Sequence, residues 1–119
     1  MPKGNKPFLI KRNDTAPNLI ATVYQTGCLG QNGRFNLSGA TDVTFSMSNK
    51  SGSLIIASRP ANIVSASSGI IEYSWEEGDT TYEGDYHGEF EITFADGKKM
   101  SLPREGFISI KITEDINTI

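Results

Sequence analysis

The sequence predicts an all-β protein, an antiparallel sandwich of about seven to nine strands in two packed sheets. Apolar and polar residues alternate with period two along much of the chain, as in strands with one buried and one solvent-facing side. Turn-forming residues recur roughly every ten residues. No stretch of comparable length shows the apolar stripe of an amphipathic helix. Together these observations favour packed sheets over a helical or mixed fold.

The clearest strand is predicted over Asp85–Phe94, where the alternation is almost unbroken. Its inner row is Tyr86, Gly88, Phe90, Ile92 and Phe94, and its outer row is His87, Glu89, Glu91 and Thr93. Because side chains leave a strand on alternate sides, we expect the apolar row in the core and the largely polar row in water.

Three further strands repeat this alternation and supply the rest of the expected core. Their inner rows are Val43, Phe45 and Met47; Ile71, Tyr73 and Trp75; and Ile108, Ile110 and Ile112. We expect the centre of the core to be built from Phe45, Tyr73, Trp75, Phe90, Ile92 and Ile110.

Weaker strands are predicted where the alternation is shorter or less regular. They are Phe8–Lys11, Leu19–Gln25, Arg34–Leu37, Leu54–Ala57, Asn62–Ser65 and Lys98–Leu102. Turn-forming residues separate the strands at Asn32-Gly33, Ser51-Gly52, Ser68-Gly69, Asp96-Gly97 and Pro103 to Gly106.

The chain length of 119 residues predicts one domain. Residues 1–7 hold two prolines, one glycine and two lysines, and we expect them to form a flexible N-terminal arm. Residues 8–119 are predicted to form a single β-sandwich.

Composition excludes several classes of partner and cofactor. The net charge is −3 and the basic residues are mostly scattered, whereas proteins that bind nucleic acids concentrate positive charge on one face. Cys28 is the only cysteine and His87 the only histidine, so we expect no disulfide, no metal and no cofactor. A lone cysteine also suits a reducing cytoplasm. No apolar run is long enough for a membrane helix, and the first twenty residues contain no apolar signal core. We therefore expect neither a nucleic-acid nor a membrane partner.

One acidic run has the composition of a cation site. It consists of Glu76, Glu77, Asp79, Glu83 and Asp85. Calcium prefers several hard oxygen ligands, but this spacing matches no EF-hand loop. Gly78 and Gly84 favour a solvated surface loop instead.

No catalytic constellation is evident, and we expect a protein that is not an enzyme. His87 lies on the outer row of its strand beside Glu89, without a nucleophile and an orienting acid nearby in sequence. Trp75 and Tyr73 are predicted as core aromatics, with an exposed sugar-binding platform as the alternative. Tyr86 follows a glycine-containing corner, where its hydroxyl can anchor the preceding loop to the sandwich.

The order of these elements resembles the N-terminal domain of the phage baseplate upper protein family. The matching segments are Asn36 to Ala40 before the Val43–Met47 strand, Gly69 to Trp75, Asp79-Thr80, Gly84 to Glu91, Asp96-Gly97, Leu102-Pro103 and Ile110 to Ile112. The resemblance covers roughly residues 8 to 113 and implies an immunoglobulin-like sandwich. The chain stops at Ile119, whereas the typical family member continues into a fibre-attaching region.

The resemblance implies a non-enzymatic virion protein of the tail or baseplate, assembled in the host cytoplasm. Its partners would be other phage structural proteins, and it would form a homo-oligomer within the virion. Two alternatives remain at this stage: a carbohydrate- or host-receptor-binding module, and a neck, capsid-decoration or head-fibre protein.

The segment most suited to partner binding is the first weak strand with the basic residues before it. Lys6 precedes Phe8, Leu9 and Ile10, and three consecutive apolar residues would expose apolar surface at a sheet edge. Residues 1–12 are predicted either to order against a neighbouring subunit or to form an edge strand of their own sheet.

Overall fold

The computed structural model describes residues 6–24, 33–103, 106–114 and 116, which form nine β-strands and no helix. In chain order the strands are β1 (Phe8–Lys11), β2 (Leu19–Thr22), β3 (Ala40–Asn49), β4 (Leu54–Pro60), β5 (Asn62–Ser65), β6 (Ile70–Tyr73), β7 (Gly84–Phe94), β8 (Lys99–Leu102) and β9 (Ile108–Thr113). The predicted all-β sandwich is confirmed.

The strands form two sheets of unequal size. The larger sheet has the order β1-β9-β7-β3-β4, and β8 pairs with the second half of β7. The smaller sheet has the order β2-β6-β5. Strand pairing is antiparallel except between β1 and β9, which are parallel. In the described residues β1 is therefore an edge strand of its own sheet.

The inner rows of the two sheets meet in one core, as the alternation predicts. All six residues expected at its centre are at most 5% exposed. Phe45 packs against both sheets, with its ring centroid 4.6 Å from that of Tyr73 and 5.1 Å from that of Phe90. Gly88 lies beneath this ring, where a Cβ would come within 3.0 Å of a Phe45 ring atom and 2.7 Å of Ile110.

The strand bounds differ from the prediction in the weakest segments. Arg34–Leu37 is not a strand, because its backbone hydrogen bonds are divided between two different segments of the chain. Arg34 forms an isolated bridge with Tyr24 and the Phe35 amide donates to the adjacent Val23, whereas the Leu37 amide donates to Ala66. β2 ends at Thr22, three residues before the predicted end. Trp75 lies beyond β6 but is buried as predicted.

Several predictions fall outside the described residues. They concern Lys3, Cys28, Asn32 and most of the proposed N-terminal arm. The arm and the single domain over residues 8–119 stay predictions.

The two sheets differ in strand length. β3 and β7 contain 10 and 11 residues, whereas β2, β5 and β6 contain 4 each. Residues outside the strands also cover the larger sheet, because Val23, Leu37 and Trp75 are buried in the same core. On the inner row of β7 only the last residue, Phe94, is left half-buried.

Candidate functional site

An apolar cleft of about 610 Å³ lies where the inner face of the larger sheet is left uncovered. Its lining residues are Phe35, Gly39, Phe94, Ala95, Asp96, Lys98, Lys99 and Met100. Phe94 and Met100 continue the inner rows of β7 and β8, but they are only half-buried, whereas Ile92 one step earlier is fully buried. Binding sites for small molecules are typically concave, mostly apolar and of this volume.

Phe35 forms one wall of the cleft, and backbone hydrogen bonds hold its segment in place. The Phe35 amide donates to the Val23 carbonyl at 2.8 Å, and the Leu37 amide donates to the Ala66 carbonyl at 2.8 Å. Leu37 is fully buried and anchors the same segment in the core. The ring of Phe35 consequently lies 6.2 Å from that of Phe94, centroid to centroid.

The turn between β7 and β8 forms the opposite wall. The Gly97 amide donates to the Phe94 carbonyl at 2.8 Å, and the Phe94 amide donates to the Lys98 carbonyl at 2.8 Å. Gly97 has a φ of 89°, which favours glycine at this position, as Asp96-Gly97 predicted. The pairing of Phe94 with Lys98 places both on the cleft side of the hairpin.

Charged groups lie only at the rim of the cleft. Asp96 caps its own turn, because its Oδ1 accepts a hydrogen bond from the Lys98 amide at 3.0 Å. Lys98 and Lys99 are both exposed, and no carboxylate of the described residues lies within salt-bridge distance of either. The cleft thus has an apolar floor with Asp96 and Lys98 at its rim, whereas Lys99 pairs with Thr93 on the outer face of the sheet.

Gly39 leaves open space in the wall of the cleft. A Cβ added at Gly39 would meet no atom within 4 Å, and its φ is not in the left-handed region. The Gly39 carbonyl accepts a hydrogen bond from the Ala95 amide at 2.9 Å, which joins the two walls. The backbone would therefore tolerate a side chain at this position, which lines the cleft.

The structure separates the four residues predicted to bind a partner. Ile10 is 4% exposed and belongs to the core, and Phe8 stacks on Trp75 with centroids 5.9 Å apart. Leu9 is 59% exposed on the outer side of β1, and Lys6 is exposed just before the strand. Only Leu9 and Lys6 are therefore available to a partner without opening the fold.

The acidic run does not gather into a cation site. Among the described residues there is no group of three or more His, Cys, Asp or Glu side chains that could hold a metal ion. Asp79 is 7% exposed and is engaged by Arg59, whose Nη1 donates to Asp79 Oδ1 at 2.8 Å. This hydrogen bond raises the pKa of the Arg59 guanidinium. Asp79 is thus held by an internal cation.

Tyr73 completes a polar cluster around Asp79. Its hydroxyl donates to Asp79 Oδ2 at 2.6 Å and accepts from Arg59 Nη1 at 2.9 Å. Burial, followed by the hydrogen bond to Asp79, raises the pKa of Tyr73 well above its usual value. The cluster joins β4 of the larger sheet to β6 of the smaller one and has a structural role.

The aromatic residues and the histidine considered as site residues also have structural roles. Trp75 and Tyr73 are 5% and 1% exposed, so they provide no platform for a sugar. His87 stacks on Phe107 with ring centroids 3.6 Å apart. The Tyr86 hydroxyl donates to the Tyr82 carbonyl at 2.7 Å, which confirms that this tyrosine anchors the preceding loop.

The cleft was not predicted from the sequence. The inner row of β7 was predicted to continue to Phe94, but alternation does not show which loop residue packs beside it. The position of Phe35 depends on backbone hydrogen bonds from its segment to Val23 and Ala66, both distant in sequence.

None of the described segments forms a helix with the length and apolar character needed to cross a membrane.

Comparison with known proteins identifies a fold but no family. No family model matches the chain, and no curated protein matches it. Among solved structures the chain is similar to CopC from Methylosinus trichosporium OB3b, with a TM-score of 0.52 and 12% sequence identity over 97% of this chain and 91% of that chain. At this identity the likeness supports the β-sandwich fold alone.

The virion interpretation is wrong, together with its tail, baseplate, neck and capsid variants and its assembly in the host cytoplasm. The matched structure is CopC, and no comparison returns a phage protein. The residues that suggested a virion protein have structural roles that are common in β-sandwiches. Tyr73 and Trp75 fill the core, Tyr86 anchors a corner and Asp96-Gly97 forms a turn. Such residues specify a fold and carry no information about assembly. The sequence resemblance itself stays an untested prediction.

Proposed function

We propose that this chain is a non-enzymatic binding domain that holds an apolar group in the cleft between Phe35 and Phe94. The observation that carries the proposal is the cleft itself. Its half-buried aromatic and methionine side chains leave apolar surface in contact with water, and covering such surface contributes about 25 cal/mol per Å². The hydrogen-bonded walls are formed before a ligand arrives, which lowers the ordering cost of binding.

The composition of the cleft supports binding over catalysis. Its ionisable lining residues are Asp96, Lys98 and Lys99, and none of the lining residues is a serine, cysteine, threonine, tyrosine or histidine. Asp96 already accepts a hydrogen bond from the turn. The cleft therefore offers no nucleophile paired with a base.

A blocking substitution tests this function. We expect 1-octanol to bind wild-type protein saturably and Gly39→Leu to weaken that binding at least tenfold, because the new side chain occupies the cleft. Isothermal titration calorimetry measures both. Gly33→Leu is the matched control, since Gly33 also has open space around its Cβ and an ordinary φ but does not line the cleft. Equal octanol binding by Gly39→Leu and wild type, or no saturable binding by wild type, would overturn the proposal.

A second candidate function is strand addition at β1. This strand is at the edge of its sheet, and Leu9 on it is 59% exposed. Open edges accept a strand of another chain through backbone hydrogen bonds. If a second copy of the chain is that partner, light scattering will show a concentration-dependent dimer, and Leu9→Lys will weaken it. A monomer at every concentration would rule out this self-association.

A further inference from the structure

One edge of β8 is not paired with any strand of the described residues. The second half of β7 pairs with β8 on one side and with β3 on the other, so β8 ends the larger sheet at this point. An open edge presents a row of backbone donors and acceptors to which another extended chain can bond.

The hairpin between β7 and β8 shows which backbone groups face this open edge. The Phe94 amide donates to the Lys98 carbonyl, so these two residues form a hydrogen-bonded pair. In an antiparallel ladder such pairs alternate with pairs that make no hydrogen bond. Every second residue after Lys98 therefore bonds to β7, and the residues between, Lys99 and Ser101, direct their amides and carbonyls away from it.

Two cavities lie on the inner side of β8, at positions two residues apart. Met100 lines the cleft of about 610 Å³, and Leu102 lines a second cavity of about 320 Å³. The second cavity is also lined by Ala21, Val23 and Ile108. Alternate residues of a strand lie about 7 Å apart on the same face. A strand added beside β8 would therefore place two alternate side chains at the two cavities.

We propose that the ligand of the cleft is an extended peptide that adds an antiparallel strand to β8 and places one apolar side chain in each cavity. This inference rests on the proposed function, because one of these side chains is the apolar group held in the cleft. The open backbone groups favour a peptide, since its amides and carbonyls can continue the ladder and its alternate side chains can fill pockets.

Charge complementarity gives one further feature of the peptide. The register that pairs Lys99 with Thr93 places the Lys99 side chain on the outer face of the sheet, away from the cleft. Lys99 is exposed and forms no salt bridge with a described residue. An acidic residue opposite Lys99 in the added strand would form a cross-strand ion pair with it.

The register therefore predicts a sequence pattern for the peptide. Its residues opposite Leu102, Ser101, Met100 and Lys99, in that order, would be apolar, unrestricted, apolar and acidic. A suitable probe is a capped octapeptide of threonine with leucine at its fourth and sixth positions and glutamate at its seventh. In an NMR titration we expect saturable binding, shifts of the Lys99 and Ser101 amides, and competition by 1-octanol.

Variants of the peptide separate backbone pairing from simple apolar contact. Methylation of the backbone nitrogen at the fifth position should weaken binding at least tenfold, because that N–H would donate to the Ser101 carbonyl. Methylation at the sixth position is the matched control, since that N–H would point away from β8. A peptide with leucine at the fourth and fifth positions should also bind at least tenfold more weakly, because only one leucine can face inward. Glutamine in place of glutamate should cost about threefold, as for an exposed ion pair.

A proline on the open edge tests the protein side of the ladder. Ser101→Pro removes an amide that faces away from β7, which an edge strand tolerates, and should weaken peptide binding at least tenfold. Glu77→Pro is the control, because Glu77 is exposed and precedes Gly78 (φ of 95°) in a turn closed by the Asp79 amide and the Glu76 carbonyl, where proline fits. Amide spectra check the fold of both variants, and the methylated peptides decide the question if Ser101→Pro does not fold.

The outcomes distinguish this inference from the proposed function. Equal affinity of the two methylated peptides, or wild-type affinity in a folded Ser101→Pro, would overturn strand addition. Equal binding of the separated and adjacent leucines would overturn the use of two cavities. Saturable binding of 1-octanol without binding of the peptide would overturn this inference and leave the apolar cleft in place. Saturable binding of neither compound would overturn the proposed function itself.

Discussion

Asp79 makes three hydrogen bonds that join different parts of the sandwich. It accepts from Arg59 on β4, from the Tyr73 hydroxyl on β6, and from the backbone amide of Glu76. Its side chain is 5% exposed, so these bonds are shielded from water, whereas the Arg59 side chain is 28% exposed. A polar group buried in this way stabilises the fold only while all its partners remain.

Replacement of Asp79 should therefore destabilise the protein far more than replacement of its neighbour Glu76. We expect Asp79→Ala to lower the free energy of unfolding by about 3 kcal/mol, since Arg59 and Tyr73 lose their partner. Glu76→Ala should cost less than about 1 kcal/mol, because its side chain is 62% exposed. Urea denaturation measures both, and similar losses in the two variants would contradict this role of Asp79.

The raised pKa of Tyr73 predicts how the stability of the protein changes at alkaline pH. Its pKa is raised in the folded protein, first by burial and then by its hydrogen bond to Asp79, so folding favours the neutral phenol. That contribution is complete below the unfolded pKa of about 10 and is lost as the pH rises towards the folded value. We expect the melting temperature to fall above about pH 10, and to fall less steeply in Tyr73→Phe. Tyr82→Phe, at a position that is 75% exposed, should follow wild type. Parallel curves for all three proteins would refute the assignment.

Gly69 is required where two loops approach each other beside the cleft. Its φ is +67°, and a Cβ there would lie 2.6 Å from the Phe35 carbonyl oxygen and 2.8 Å from that of Val23. Both contacts are with backbone, which cannot move aside cheaply. We expect Gly69→Ala to cost more than about 1 kcal/mol of stability, and Gly39→Ala to be neutral or slightly stabilising. Thermal unfolding compares them, and a neutral Gly69→Ala would contradict this close packing.

At the scale of strands, β7 carries the centre of the core. Phe90 is fully buried, and its ring lies 5.1 Å from that of Phe45 on the neighbouring strand. We expect Phe90→Ala to lower the free energy of unfolding by about 4 kcal/mol, in the range for large-to-small changes in cores. The exposed Glu89→Ala on the same strand should change it little. An unchanged denaturation midpoint for Phe90→Ala would contradict the inward orientation of this row.

The strands show which parts of the fold a sequence can predict. β7 and β9 were predicted within two residues of their ends, because one buried face imposes an alternation that is visible in the sequence. Tyr86 was predicted as a loop anchor because its hydroxyl bonds only four residues upstream. Arg34–Leu37 was wrongly predicted as a strand, since its hydrogen bonds go to Val23 and Ala66, which local pattern does not reveal.

The candidate site was harder to predict, because it also depends on contacts between residues that are distant in sequence. Phe94 was correctly placed on the inner row of β7, but its partial exposure depends on loop residues such as Phe35, which lies beside it in space. Lys98 was predicted only as the start of a strand. Arg59 was not singled out, although its contacts with Tyr73, Glu76 and Asp79 explain why the acidic run holds no cation site.

At the scale of the whole molecule, the proposed function depends on the end of the larger sheet, where the half-buried Phe94 and Met100 line the cleft. The edge strand β1 lies on the same sheet and is the separate surface proposed for strand addition. Neither feature was evident from the sequence resemblance.

Carbon NMR of protein labelled at its methionine methyl groups tests the cleft most directly. Met100 lines the cleft and is half-buried, whereas Met47 is fully buried in the core and serves as the internal control. Met100→Leu identifies the relevant signal. On titration with 1-octanol we predict a saturable shift of the Met100 methyl, no shift of Met47, and loss of the Met100 response in Gly39→Leu. A Met100 signal that does not move, or one that moves together with Met47, would contradict the account.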